Sequence, residues 1–212
     1  MKRLKEFIPL YGMVMLCLML VLNTITYFGT RFFTANMEHH VLWSSLDERI
    51  PLCSAFIIFY YLAYVQWIVG YVLIARSGKK NCYKYLCGEM IAKGICLLCF
   101  VLYPTTIIRP DITGTTIFDE LVRGLYVMDS PDNLFPSIHC LESWVCLRTA
   151  FAIKGLPSWY KGASAVMTVG VFLSTVFLKQ HVVVDMVGAV VAVELGFWIM
   201  KVIVEKKRVG NE

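Results

Sequence analysis

Six apolar runs, at about 8–28, 52–75, 88–105, 136–153, 160–178 and 182–204, constrain this chain more than any other feature. A helix crossing the hydrocarbon core of a membrane needs about 20 mostly apolar residues and must satisfy its backbone hydrogen bonds internally. The chain has 212 residues, is 58% hydrophobic and only 17% charged, a balance foreign to soluble domains of this size and ordinary for multi-pass membrane proteins. The expectation is an all-α fold: a six-transmembrane-helix bundle with short loops. It forms one membrane-embedded domain over residues 1–212, with no Pro-, Gly- or Ser-rich linker and no internal repeat.

The net charge of +5 does not point to nucleic acid, because the cations cluster between the apolar runs. Lys2, Arg3 and Lys5 precede the first run, and Arg76, Lys79, Lys80 and Lys84 follow the second. Lys154 and Lys161 flank the loop after the fourth, and Lys206, Lys207 and Arg208 follow the sixth. These segments alternate as cytoplasmic loops should. The intervening loops are acidic, with Glu38, Asp47, Glu48, Asp111, Asp119, Glu120, Asp129 and Asp132. Both termini are therefore expected in the cytoplasm. The first run reads as a retained anchor, too long for a signal-peptide core and followed by no small-x-small cleavage site. The eight cysteines are scattered through apolar stretches and one basic loop, which argues against a disulfide framework. Cys96-x-x-Cys99 has redox or zinc spacing, but inside an apolar run it is expected to pack.

This topology places the chemistry-bearing residues on one side of the membrane. His139 falls at the outer start of the fourth helix, His181 and Asp185 at the outer start of the sixth, and Arg109 just beyond the outer end of the third. The outer loop over 106–135 holds a further element. Thr116 and Asp119 resemble a capping box, and Ile117, Leu121, Leu125 and Met128 recur at helical spacing. A short amphipathic helix at the membrane interface is expected there, as a lid over the site or as a plain connector.

Two motifs carry the site: Phe135-Pro136-Ser137-Ile138-His139 and Lys179-Gln180-His181-Val182-Val183-Val184-Asp185. Asp185 lies four residues after His181, on the same face if the helix has begun by His181. A carboxylate there holds one imidazole N–H, fixes the tautomer and leaves the other nitrogen free as a nucleophile. An ionisable residue near the hydrocarbon is costly and is usually functional. Ser137 suits an N-cap, and the free N–H groups of the first turn offer an anion site. His139, in that turn, is placed to protonate a departing alcohol. Arg109, followed by Pro110, suits phosphate clamping, and Lys179 offers a second cation. Glu142 is read as a group behind the site or as a partner of Arg148 or another helix. Glu194 is read as satisfying a neighbour across the bundle. His39-His40 lacks a third ligand for metal. Tyr60, Tyr61, Tyr64 and Trp67 read as ordinary membrane packing.

Together these residues resemble the type 2 phosphatidic acid phosphatase superfamily, which also contains vanadium haloperoxidases and sphingolipid synthases. The family blocks are K-x(6)-R-P, P-S-G-H and S-R-x(5)-H-x(3)-D. This chain offers Arg109-Pro110, then Pro136-Ser137-Ile138-His139, then Ser174-Thr175 followed by His181 and Asp185, in the same order over about residues 50–204. The resemblance implies an integral membrane lipid-phosphate phosphatase acting at the outer surface without metal or cofactor. His181 would become a phosphohistidine, Asp185 would orient it, His139 would serve as acid and then base, and Arg109 and Ser137 would hold phosphate oxygens. The implied partners are a phosphorylated lipid substrate and the surrounding membrane lipids.

The departures bear on the reaction. Leu102 stands where the family carries Lys, Ile138 replaces Gly and Thr175 replaces Arg, which leaves Lys179 as the nearest substitute cation. A Ser-x-His without the glycine is similar to the sphingomyelin and inositol phosphorylceramide synthase branch, which transfers a phosphoryl head group to another alcohol. Hydrolysis and transfer both stay open, as does an inactive protein of the same fold. A haloperoxidase is disfavoured because those relatives are soluble.

Overall fold

The structure, a computed structural model, describes residues 7–209, without the side chains of 207–209. Lys2, Arg3 and Lys5, and the side chains of Lys207 and Arg208, lie outside the described residues. The chain is mostly helical: α1 (Leu10–Thr34), α2 (Ser45–Arg49), α3 (Ile57–Arg76), α4 (Lys79–Leu102), α5 (Ile117–Met128), α6 (Ile138–Ala152), α7 (Ser158–Phe177) and α8 (Val183–Val209). Among the described residues, five helices are long and apolar enough to cross a membrane: α1, α3 with the 3-10 turn before it, α4, α7 and α8.

The fourth apolar run forms a shorter helix. α6 has 15 residues, about 22 Å at 1.5 Å per residue. Pro136 and the capping Ser137 fix where it begins. It packs among α3, α7 and α8, and Cys140, Leu141, Val145 and Cys146 are fully buried along it. α4 starts earlier than its apolar run, at Lys79 rather than 88. Lys80, Lys84 and Glu89 interrupt the hydropathy there, yet all favour helix. α1 runs on to Thr34 through a π-helical turn at Ile25–Gly29, a device that shifts the register of side chains along a helix.

Two glycines position these helices. Gly78, at φ +94°, reverses the chain between α3 and α4 in a conformation that L side chains rarely adopt. Where α4 meets α8, a Cβ on Gly196 would fall 2.1 Å from the Gly88 carbonyl oxygen, so the two backbones are in contact. Outside the bundle, β1 (His40–Val41) pairs in parallel with β2 (Thr105–Thr106), a two-residue stitch that the all-α expectation did not contain.

α5 forms where the sequence predicts it, with the Thr116–Asp119 capping box in place. Its packing face differs from the expected stripe. Val122 and Leu125 are buried against Ile57, Tyr60 and Leu178, whereas Ile117, Leu121 and Met128 stay exposed. Arg123 secures the loop in front of α5 by donating to the carbonyls of Ile112 and Gly114.

Candidate active site

The site is assembled from turns. Thr175 O, near the end of α7, accepts both the Gln180 N–H (2.9 Å) and the His181 N–H (3.0 Å). Lys179 adopts φ +52° to make that reversal. α8 begins at Val183, two residues after His181, so His181 and Asp185 do not share a helical face as expected. They meet through the turn instead. Asp185 Oδ2 accepts the Val182 N–H at 3.1 Å and lies 3.1 Å from His181 Nδ1. The carboxylate thus holds Nδ1 and leaves Nε2 with the free lone pair. Asp47, in the first turn of α2, reaches across to cap α8, accepting the Val183 N–H at 2.8 Å.

The second motif is tied to the first. Ser137 caps α6, its Oγ accepting the Cys140 N–H at 3.3 Å, and its own N–H donates to Asp185 O at 3.2 Å. Thr105 Oγ1 accepts the N–H groups of Leu134 and Phe135, which pins the approach to Pro136. His139 then projects from the first turn of α6, its ring centroid 6.3 Å from that of His181. Tyr60 stacks on it at 4.4 Å, and Trp67 and Tyr64 follow at 5.3 Å and 6.3 Å. Among the described residues, His139 Nε2 and Asp185 Oδ1 are buried without hydrogen-bond partners. A cavity of about 20 Å³, lined in part by Tyr27 and Asp129, lies against both imidazoles. That is about the room one water needs.

Arg109 is close by but engaged. Its guanidinium donates to Asp129 O and to Gln180 Oε1, each at 2.5 Å, and lies over the Tyr126 ring. Nε is buried without a partner among the described residues. Burial lowers the Arg109 pKa, and the Asp129 carboxylate opposes that shift. Lys179, offered as a second cation, is engaged elsewhere. Its ammonium donates to Asp47 O at 2.9 Å and Ile50 O at 2.5 Å, and it lies 4.9 Å from the centre of the Trp43 ring. It lines a different cavity from the one against the imidazoles. A cation beside two unsatisfied carbonyls is drawn to them, and the sequence does not reveal that those carbonyls are near.

Other residues resolve as follows. Glu142 pairs with Lys93 of α4 at 2.6 Å, not with Arg148. Arg148 pairs with Glu194 at 2.5 Å across the bundle. His40 stacks on Tyr103, and His39 Nδ1 lies 3.0 Å from Met37 O. Cys96 is buried in the main core as a free thiol. Sequence reasoning missed Tyr60, read as membrane packing, and Asp129, read only as loop charge. Asp129 accepts from Tyr27 and Tyr60, and Arg31 lies 3.8 Å away. A hint existed for Asp47: Ser44-x-x-Asp47 is itself a capping box, which marks the start of a short helix.

No protein-family model, curated protein or solved structure matches the chain. What defines the class is therefore its own architecture: a helical protein with several membrane-length apolar helices, in which two histidines and a carboxylate converge where α6 and α8 begin.

Proposed function

We propose that this chain is a membrane lipid-phosphate phosphatase of the type 2 phosphatidic acid phosphatase superfamily. One observation carries the reading: His181, oriented by Asp185 at 3.1 Å, faces His139 across 6.3 Å between ring centres. That spacing suits a nucleophile and a general acid on opposite sides of one phosphorus atom. His181 Nε2 attacks phosphorus, the P–O bond to the lipid alcohol breaks, and His139 supplies the proton to the departing oxygen. His139 then takes a proton from water, which attacks the phosphohistidine and releases phosphate. The Ser137 hydroxyl, the N–H groups opening α6 and a freed Arg109 hold the phosphoryl oxygens where charge develops.

In this reading α6 is a sixth membrane span, short because its neighbours bury it. The cationic loops lie in the cytoplasm with both termini, and the site opens at the outer surface. α5 rests at the interface, which suits the exposed Ile117, Leu121 and Met128 on its outer side. The substrate is a lipid carrying a phosphomonoester or diphosphate.

The test is phosphate release from a panel of lipid phosphates in detergent with EDTA, comparing wild type with His181→Ala. Release that persists in EDTA and vanishes in the variant supports a histidine nucleophile. Transfer to an added lipid alcohol in excess of phosphate release moves the reading to a head-group transferase with the same residues. A second reading, a protein of this fold without catalysis, is favoured by the commitment of Arg109 and Lys179 to protein acceptors. It predicts neither release nor transfer from any lipid.

A further inference from the structure

Between α1 and α3, a groove of about 410 Å³ is walled by apolar side chains, Leu16, Met19 and Leu20 on one helix and Ile68 and Val72 on the other. Its floor is polar. Lys93 of α4 and Glu142 of α6 reach it while being only 1% and 4% exposed. Asn23 of α1 lines it, and among the described residues its Oδ1 is buried with no hydrogen-bond partner. Tyr64 and Trp67 form part of the same wall, and the same two rings flank His139. Only one aromatic layer separates the groove from the candidate active site.

The floor selects the ligand. The Lys93 ammonium is shared between Glu142 (2.6 Å) and Glu89 (3.2 Å). The Tyr71 hydroxyl meets both of these carboxyl groups but carries a single proton. The Lys93 ammonium and the Tyr71 hydroxyl thus engage both Glu142 oxygens and close the cluster on itself. Lys93 is already matched, so a phosphate gains little and meets the acceptor oxygens of Asn23 and Glu142. The unmet requirement is a neutral hydrogen-bond donor. The walls require a hydrocarbon chain, which enters from lipid without desolvating any polar group.

We propose that this groove binds a long-chain alcohol, its hydroxyl donating to Asn23 Oδ1 or Glu142 and its chain lying between α1 and α3 towards Leu16 and Val72. A lipid alcohol is what phosphoryl transfer releases or consumes, and in that respect the assignment rests on the function proposed above. The groove then stores the departing alcohol, or presents an acceptor, one layer from His139.

Photo-crosslinking with a diazirine-bearing hexadecanol tests this on the full chain in detergent, as wild type and as His181→Ala. Crosslinks are expected in the α1 and α3 peptides of both proteins, competed by plain hexadecanol. Hexadecyl methyl ether, which cannot donate, should compete at least about fivefold less well. Leu20→Trp, which fills the groove, should abolish labelling, whereas Val169→Trp on the exposed face of α7 should not. Asn23→Leu, which keeps the groove open, should weaken labelling about fivefold. The proposal is overturned by labelling spread evenly over lipid-facing helices or insensitive to Leu20→Trp and Asn23→Leu. It is equally overturned if the ether or hexadecylamine competes as well as the alcohol. Groove labelling without phosphate release by wild type would uphold the site and sink only the phosphatase reading.

Discussion

Asp185 Oδ2 touches both His181 Nδ1 and the Val182 N–H, each at 3.1 Å, so one oxygen sets the imidazole and closes the turn that opens α8. Asn at this position keeps an acceptor for Val182 but loses the negative charge that fixes the tautomer of His181. Asp185→Asn should therefore fold and lose phosphate release by about 10²–10⁴-fold. His181→Ala should remove release altogether. Both are read in the lipid-phosphate assay, with thermal midpoints measured in the same detergent to separate chemistry from folding. An Asp185→Asn protein with near-normal release would rule out the dyad.

Arg109 and Lys179 should separate by phenotype. Arg109 spans Asp129 O and Gln180 Oε1 with its fork, beside the residue that precedes His181. Lysine keeps the charge but cannot bridge both acceptors. Arg109→Lys should raise KM for lipid phosphate and lower kcat. Lys179→Met instead strands two carbonyls, those of Asp47 in α2 and of Ile50 at its end, at a cost of about 1–3 kcal/mol in stability. Its KM should stay near that of wild type. A Lys179→Met variant with unchanged stability and a large rise in KM would return Lys179 to the phosphate.

This contrast shows how much of the site the sequence makes legible. The motifs around His139, His181 and Asp185 are local, and hydropathy brings the starts of α6 and α8 to one surface, so their convergence is readable. The Lys179 contacts are not, because they depend on carbonyls more than 125 residues away in the chain. Tyr60 and Asp129 were missed for the same reason: a tyrosine in a membrane helix looks like any belt residue until its partner is known. Among the helices, α4 was placed late because hydropathy registers charge, whereas helix formation tolerates Lys and Glu. The split face of α5 depends on where Ile57, Tyr60 and Leu178 meet it, a contact the spacing of apolar residues does not encode.

Tyr60 offers two separable contributions, a ring stacked on His139 and a hydroxyl donating to Asp129 at 3.2 Å. Tyr60→Phe keeps the stack and should cost about 1 kcal/mol. Tyr60→Ala removes a fully buried aromatic and should cost about 3–5 kcal/mol, with His139 disordered and release lost. The stack matters to function only if release by Tyr60→Phe stays well above that of Tyr60→Ala when both are assayed below their midpoints.

The cap of α5 should give a pH signature. Hydrogen bonds from the Ser54 and Thr116 hydroxyls, and from the Thr116 N–H, hold the Asp119 carboxyl below the ordinary aspartate value of 3.8. A depressed folded pKa contributes stability above the unfolded value, and that contribution is lost as pH falls through the folded one. The wild-type midpoint should therefore drop below pH 3.8 more steeply than that of Asp119→Asn, with the two curves converging in acid. Parallel curves over this window would mean that the carboxylate contributes nothing as an ion.

The Glu89–Lys93–Glu142–Tyr71 cluster makes the sharpest stability prediction, because its three charged side chains are buried. Lys93→Met leaves two carboxyl groups buried with no cation, and breaking one side of a buried pair costs about 3–5 kcal/mol. Glu142→Gln leaves Lys93 paired with Glu89 at 3.2 Å and keeps an acceptor for Tyr71, so it should be milder. The double variant Lys93→Met/Glu142→Gln retains one carboxyl, Glu89, still bonded to Tyr71 and with no second carboxyl beside it. It should accordingly be more stable than Lys93→Met alone. Reversible unfolding of the four proteins in mixed micelles gives the coupling directly. If the two losses simply add, Lys93 and Glu142 are not coupled, and the matched floor inferred for the α1–α3 groove loses its basis.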